Sequence, residues 1–82
     1  MAKLKLKIKE RKLGKHQAVG LYYEGKRLIE IDPRQCAKKY LNTLIHEILH
    51  DRLPKASEGQ VSRIAGMITE ASWRARFRRI EV

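Results

Sequence analysis

The hydrophobic pattern of this chain changes its period at about Asp32, and that change limits the possible folds more than any other feature. Before it, apolar and charged residues alternate, as in Leu4, Leu6 and Ile8 between lysines, which is typical of a half-buried strand. After it, apolar residues recur at helical spacing. Strands followed by helices indicate the α+β class.

Three strands are predicted in the first part of the chain. They are the alternating N-terminal segment, Ala18 to Tyr23 and Arg27 to Ile31, with a tight turn at Glu24-Gly25 between the last two. The turn makes these two strands a β-hairpin. With the first segment, whose lysines suit an edge strand, they are expected to form a small antiparallel sheet.

The first predicted helix carries start and stop signals at both ends. Asp32 can cap it, Pro33 fits its first position, and Gln35 completes a capping-box pattern. It is expected to run to about Arg52, because Pro54 cannot continue a helix.

A second capping-box pattern, Ser57 to Gln60, opens a second and long helix that is expected to reach about Arg78. Arginines crowd its last turns, where cations suit the helix dipole. The sheet and the two helices are expected to form one domain over residues 1–82. Because so small a domain has a marginal core, a bound metal ion would add useful stability.

Composition narrows the cellular setting. Cys36 is the only cysteine, which excludes an intrachain disulfide and is typical of a reducing compartment. No apolar run is long enough to span a membrane, and the alternating N-terminus does not resemble a signal peptide. The sequence therefore predicts a cytoplasmic protein with no membrane partner. It carries no feature that specifies an oligomeric state.

The formal net charge is +10, from 19 Lys+Arg against 9 Asp+Glu. Such a balance favours contact with phosphate backbones or acidic surfaces, although charge also simply keeps a small protein in solution. The lysines from Lys3 to Lys9, Lys12, Lys15 and the C-terminal arginines are the candidates for a nucleic-acid-binding surface.

The segment His46-Glu47-Ile48-Leu49-His50 carries the clearest chemistry. A spacing of four places both imidazoles on one face of the first helix, one turn apart, where they can share a metal ion. Glu47 stands where a general base is needed to activate a metal-bound water. On a helical wheel these residues point away from the apolar stripe, which indicates an open cleft. The alternative is a solvated polar face.

A catalytic zinc ion needs a third protein ligand, and no histidine or cysteine follows His50. Four carboxylates are candidates: Asp51, Glu58, Glu70 and Glu81. Glu58 is favoured, because a tight turn containing Pro54 returns it close to His50. Glu70 is the second choice, since it lies about 18 Å further along the second helix. The position of Glu58 would equally suit a carboxylate that only complements the helix dipole.

The order of these motifs resembles the minimal zincin-type metallopeptidases, especially short metallopeptidase-like proteins of phage and bacterial genomes. The SprT-like and ImmA/IrrE-like groups share the general arrangement. The resemblance covers roughly Val19 to Trp73 and rests on four segments: Leu28–Asp32, Thr43–His50, Leu53-Pro54 and Ser57–Val61. Its H-E-x-x-H part is specific, and the rest is looser.

This resemblance implies an active-site helix packed under a small sheet. It implies zinc held by His46, His50 and Glu58, with Glu47 as general base. It also implies that an edge strand near Arg27 to Ile31 aligns an extended peptide or protein substrate. The expected function is zinc-dependent hydrolysis of peptide bonds. The alternative is a basic nucleic-acid-binding module with a structural or vestigial zinc site. A structural site normally has four protein ligands, and only three are found.

Overall fold

The computed structural model describes residues 5–14 and 18–78. In chain order they form the strands β1 (Lys7–Glu10), β2 (Gly20–Tyr23) and β3 (Leu28–Ile31), then the helices α1 (Ala37–Arg52) and α2 (Glu58–Arg74). The predicted α+β class, with a three-stranded sheet and two helices, is confirmed. Neither helix in the described ranges is long and apolar enough to cross a membrane.

The sheet is mixed, with the strand order β1-β3-β2. The β2–β3 hairpin is antiparallel, as predicted, but β1 pairs in parallel with β3, so the prediction of a fully antiparallel sheet was wrong. Glu10 at the end of β1 and Gly20 at the start of β2 both pair with Ile31. Residues 11–14, the crossing segment, continue from β1 past this end of β3. Strands β1 and β2 run in opposite directions.

Asp32 anchors this crossing segment and does not cap α1. Its carboxylate accepts hydrogen bonds from the backbone N–H groups of Leu13 and Arg34, both at 2.9 Å, and from the Arg34 guanidinium. These donors hold the pKa of the Asp32 carboxyl well below its usual range. With Asp32 so engaged, α1 begins only at Ala37, after an extended Cys36 that makes no side-chain cap hydrogen bond. The predicted start at Asp32 was therefore wrong.

The capping box predicted for α2 is present. The Gln60 N–H donates to the Ser57 hydroxyl at 3.1 Å, and the Ser57 N–H donates to the Gln60 side chain at 3.0 Å. This reciprocal pair satisfies two backbone donors that a helix start leaves open. Because it is complete within four residues, it sets the start of α2 independently of tertiary contacts.

The second helix ends at Arg74, before the predicted end at Arg78. Arg76 has a φ of 69°, in the left-handed region, and the Phe77 N–H turns back to donate to the Ser72 carbonyl at 3.0 Å. This bond is typical of a Schellman C-terminus, which usually has glycine at the left-handed position. An arginine there gave no sequence signal for the stop.

The core is built from side chains of β3, the crossing segment and α2. Its fully buried apolar side chains are Leu13, Ile29, Ile31, Val61 and Ala65. The inner face of α2 follows Val61, Ala65 and Thr69 at a spacing of four, whereas Ile68 is 41% exposed. Helix α1 contacts both the sheet and α2. A sheet on one side and a helix on the other therefore hold α1 in place.

Strand β2 lies against α1 at Gly20, where its backbone meets the side chains of Thr43 and Glu47. A Cβ atom at Gly20 would lie 2.5 Å from Cγ2 of Thr43 and 3.2 Å from Cγ of Glu47. Only glycine permits this contact, and it leaves Glu47 only 7% exposed. The prediction that the polar face of α1 points away from the core was therefore wrong for Glu47.

Replacing Gly20 tests this close contact between β2 and α1. Gly20→Ala is expected to lower the free energy of unfolding by about 1–3 kcal/mol, because the added methyl group overpacks the contact with α1. Gly25→Ala is the matched control. Nothing lies within 4 Å of a Cβ at Gly25, and its φ is not positive. That change should leave stability unchanged or raise it by less than about 1 kcal/mol. Urea titrations of both variants measure the difference, and equal stabilities would contradict the close approach.

Candidate metal centre

The two histidines of the H-E-x-x-H segment meet on one face of α1. The Nε2 atoms of His46 and His50 lie 3.1 Å apart, and the ring centroids are 4.8 Å apart. Their side chains are 25% and 26% exposed, so both are partly buried and still accessible to solvent. The one-turn spacing of the helix thus produces the convergence of two ligand nitrogens that was predicted.

Glu58, the first residue of α2, closes the group. Its Oε1 lies 2.6 Å from Nε2 of His50, and its Oε2 lies 3.2 Å from Nε2 of His46. The connection between the helices is tight: the Leu53 N–H donates to the Leu49 carbonyl, and the Ala56 N–H donates to the Leu53 carbonyl. This turn and the capped start of α2 together carry the carboxylate back to the histidines.

These three side chains could hold a metal ion. One ligand atom from each of His46, His50 and Glu58 lies within 4.8 Å of the other two. Ligands of a tetrahedral zinc ion at its usual bond lengths are separated by about 3.3 Å. The 3.1 Å and 3.2 Å separations match this value, whereas the 2.6 Å contact has the length of a hydrogen bond.

The donor chemistry also suits a cation. A neutral imidazole carries a proton on only one of its two nitrogens. Here two imidazole nitrogens and a carboxylate converge on one point, so the site has more acceptor lone pairs than N–H protons to pair with them. A bound cation satisfies all three acceptors at once. Two histidines and a carboxylate form a donor set typical of zinc sites that keep one position open.

The other candidate carboxylates are engaged elsewhere or lie outside the described residues. Glu70 pairs with Nζ of Lys38 at 2.9 Å, and this hydrogen bond and charge lower the pKa of its carboxyl. Asp51 pairs with the Arg27 guanidinium at 2.6 Å. Glu81 is not among the described residues. Of the predicted alternatives within the described ranges, the structure brings Glu58 to the histidines and leaves Glu70 apart from them.

Glu47 lies at the inner wall of the same site. It is the buried residue of α1, at 7% exposure, and it contacts the backbone of β2 at Gly20. Burial raises the pKa of the Glu47 carboxyl, while the adjacent charges of His46 and His50 act in the opposite direction. A carboxyl group with a raised pKa, next to a group of metal ligands, has the properties required of a proton-transferring side chain.

The metal centre opens into a cleft of about 780 Å³. One wall is β2 at Gly20, the floor is the exposed side of α1, and Glu58 stands at one end. Cys36 is exposed and lines the opposite end. The expected open cleft is therefore present, bordered by the sheet on one side.

The strand that borders this cleft is β2 and not the one predicted. The segment from Arg27 to Ile31 forms β3, which pairs on both sides and is the central strand. Within the described residues, β2 pairs only with β3, so its other edge faces no strand. The predicted edge position of Arg27 to Ile31 was therefore wrong, and β2 is the strand that presents an edge beside the cleft.

An ion-pair network that was not predicted ties β2 to the end of α1. The Arg27 guanidinium donates two hydrogen bonds to the Asp51 carboxylate, at 3.0 and 2.6 Å, and the Tyr22 hydroxyl donates a third at 2.5 Å. The Asp51 side chain is only 4% exposed. Because Asp51 follows His50 directly, these bonds fix the distance between β2 and the turn of α1 that carries His50.

Breaking this network is expected to destabilise the fold in a pH-dependent way. Asp51→Asn should lower the free energy of unfolding by about 2–4 kcal/mol at pH 7, because it leaves the half-buried Arg27 without its carboxylate partner. Tyr22→Phe removes a single hydrogen bond and should cost about 1 kcal/mol. Thermal and urea unfolding measure both values.

The sign of the pH dependence follows from the pKa. Hydrogen bonds from Arg27 and then from Tyr22 lower the pKa of Asp51 to about 2, below its value near 4 in an unfolded chain. The ionised form therefore stabilises the fold above about pH 4, and this contribution disappears as the pH falls towards 2. The stability difference between wild type and Asp51→Asn should shrink over that interval. A difference that is constant from pH 6 to pH 2 would contradict the network.

The lysines proposed for nucleic-acid contact lie away from the cleft. Lys7 and Lys9 are exposed on β1, on the opposite side of β3 from β2, and Lys12 is exposed just beyond them. Lys3 and Lys15 are outside the described residues, as is the C-terminal Arg79. Among the described residues, the lysines of β1 and the candidate metal centre are therefore separate features.

Comparisons of this chain with protein-family models, with curated proteins and with solved structures found no match.

Proposed function

We propose that this protein is a zinc-dependent metallopeptidase. The observation that carries the proposal is the convergence of His46, His50 and Glu58 beside the buried carboxyl of Glu47. A metal site that only stabilised a fold would be closed by a fourth protein ligand. Among the residues that the structure describes, no fourth histidine, cysteine or carboxylate joins this group, and the site opens into a cleft.

Zinc is the ion that the donor set favours. Imidazole nitrogen suits zinc and other late transition metals, whereas magnesium and calcium prefer sites made only of oxygen. When bound, zinc polarises the peptide carbonyl and lowers the pKa of an attacking water molecule. His46, His50 and Glu58 would hold the ion, leaving its remaining position open to the cleft.

Glu47 performs the proton transfers in the proposed reaction. Its carboxylate accepts a proton from the attacking water and delivers that proton to the nitrogen of the departing amine. Burial against Gly20 limits the conformations of the side chain and raises its pKa towards the working range of a proton shuttle. The Glu47 carboxyl group is therefore ionised both before and after the peptide bond is cleaved.

The substrate proposed for this cleft is an extended peptide segment aligned along β2. The Asp32 N–H donates to the Val19 carbonyl, which places the hydrogen bonds of Val19 towards β3. Since hydrogen-bonded and non-hydrogen-bonded positions alternate in an antiparallel pair, the backbone groups of Gly20 and Tyr22 face the opposite edge. An added strand can bond to these groups while its carbonyl lies over the metal centre.

The experiment that tests the proposal compares two zinc-loaded proteins, the wild type and Glu47→Gln, on a library of extended peptides. Zinc-dependent cleavage by the wild type that the variant lacks supports the function. The absence of cleavage by the wild type across the library would contradict it.

A further inference from the structure

The cleft extends beyond the metal centre, along α1 towards its N-terminus. Lys39 lines this end and lies seven residues before His46, which also lines the cleft. Seven residues are almost two helical turns, so the two side chains share one face of α1 about 10.5 Å apart along its axis. Thr43 occupies the turn between them. The floor of the cleft is therefore one line of side chains with a lysine at its far end.

The polar groups at this end fall into two sets. Gln35 and Thr43 bond to each other at 2.7 Å, and the Gln35 amide also donates to the Asp32 carbonyl at 2.9 Å, so these groups serve the fold. Lys39 and Asn42 also line the cleft, and neither makes a hydrogen bond or an ion pair with another described residue. Their donors are available to a ligand.

Arg34 adds a further donor beside them. Its Nε and Nη2 atoms bind the Asp32 carboxylate at 2.9 and 2.6 Å, which compensates its charge and holds the guanidinium in place. Its Nη1 group makes no hydrogen bond within the described ranges, and the side chain is 55% exposed. Lys39 therefore provides the uncompensated positive charge of this end of the cleft, and Arg34 and Asn42 provide positioned N–H groups.

We propose that Lys39, Asn42 and Arg34 form a subsite for a carboxylate of the peptide substrate. This inference rests on the proposed function. An extended chain advances about 3.3 Å per residue, so 10.5 Å along the cleft places the carboxylate about three residues from the scissile bond. Glu58, at the opposite end of the cleft, offsets part of the charge of a bound zinc ion. Lys39 therefore favours peptides that carry their acid at this distance from the metal centre.

Peptide binding tests this subsite separately from cleavage. Fluorescent, C-terminally amidated peptides carry Asp or Asn at successive positions, and fluorescence anisotropy measures their affinity for zinc-loaded Glu47→Gln. The best Asp peptide should bind about two- to fivefold more tightly than its Asn partner. Adding Lys39→Glu should abolish or reverse this preference. A peptide without Asp but with a free C-terminal carboxylate distinguishes a side-chain carboxylate from a terminal one.

Lys9→Glu is the matched control, because it makes the same change in charge on β1, across the sheet from the cleft. The Asp preference should survive in this control. Equal binding of every Asp and Asn pair, or equal loss of the preference in the two charge variants, would overturn the subsite. Failure of the peptidase proposal has a different signature: the wild type cleaves no peptide while the Lys39-dependent preference in binding remains.

Discussion

Zinc-loaded Glu47→Gln is expected to cleave peptides about 10²–10⁴-fold more slowly than the wild type while it binds zinc with similar affinity. Glutamine has nearly the size of glutamate, so it preserves the packing of this side chain against Gly20 and Thr43. It cannot accept the proton of the attacking water. Initial rates on internally quenched peptides measure the loss, and metal analysis of both proteins verifies that the zinc content is unchanged.

Removal of the metal provides the control for this experiment. Wild-type cleavage should disappear when a chelator removes zinc and return when zinc is added. Activity that resists both the chelator and the substitution would come from a contaminating protease. Equal, zinc-dependent cleavage by the two proteins would remove Glu47 from its role as general base.

Glu58→Gln is expected to weaken zinc binding about a hundredfold. Structural zinc sites with four protein ligands bind with about 10–16 kcal/mol, or roughly 3 kcal/mol per ligand, and a neutral amide is a poor substitute for a carboxylate. Glu58 contacts both histidine nitrogens, at 2.6 and 3.2 Å, so its loss opens one side of the metal centre. Competition with a chromophoric zinc chelator measures the affinity.

Glu70→Gln is the matched control for this change, because it removes a carboxylate from the same helix. Glu70 pairs with Lys38, so this variant should bind zinc as the wild type does. In the metal-free protein, each substitution removes one exposed or partly exposed charge from α2 and should leave the stability nearly unchanged. Unchanged zinc affinity in Glu58→Gln would refute Glu58 as a ligand, and a loss in Glu70→Gln alone would point to the other carboxylate.

The parts of this fold that were predicted correctly depend on short stretches of chain. The capping box at Ser57 is complete within four residues, and His46 and His50 are one helical turn apart. Glu58 lies close to His50 as predicted, because a tight turn between the two helices limits the distance between these residues. In each case neighbouring residues suffice to determine the geometry.

The prediction for Asp32 failed because a distant group competed with a local pattern. Asp, Pro and Gln in this order match a helix start, but the carboxylate instead accepts the Leu13 N–H, 19 residues away in sequence. Leaving a buried backbone N–H without a hydrogen-bond partner destabilises the fold more than a helix cap stabilises it. Local pattern alone therefore placed the beginning of α1 too early.

The sequence by itself determined the strand and helix periods, the capped start of α2 and the pairing of His46 with His50, because each is encoded within a few consecutive residues. Only the tertiary structure decided the parallel pairing of β1, the burial of Glu47 beneath β2 and the network of Asp51 with Arg27 and Tyr22, whose members are 24 and 29 residues apart. The physical reason is the range of the interactions. Periodicity and capping depend on neighbouring residues, whereas the cleft forms where segments distant in sequence pack against the same face of α1.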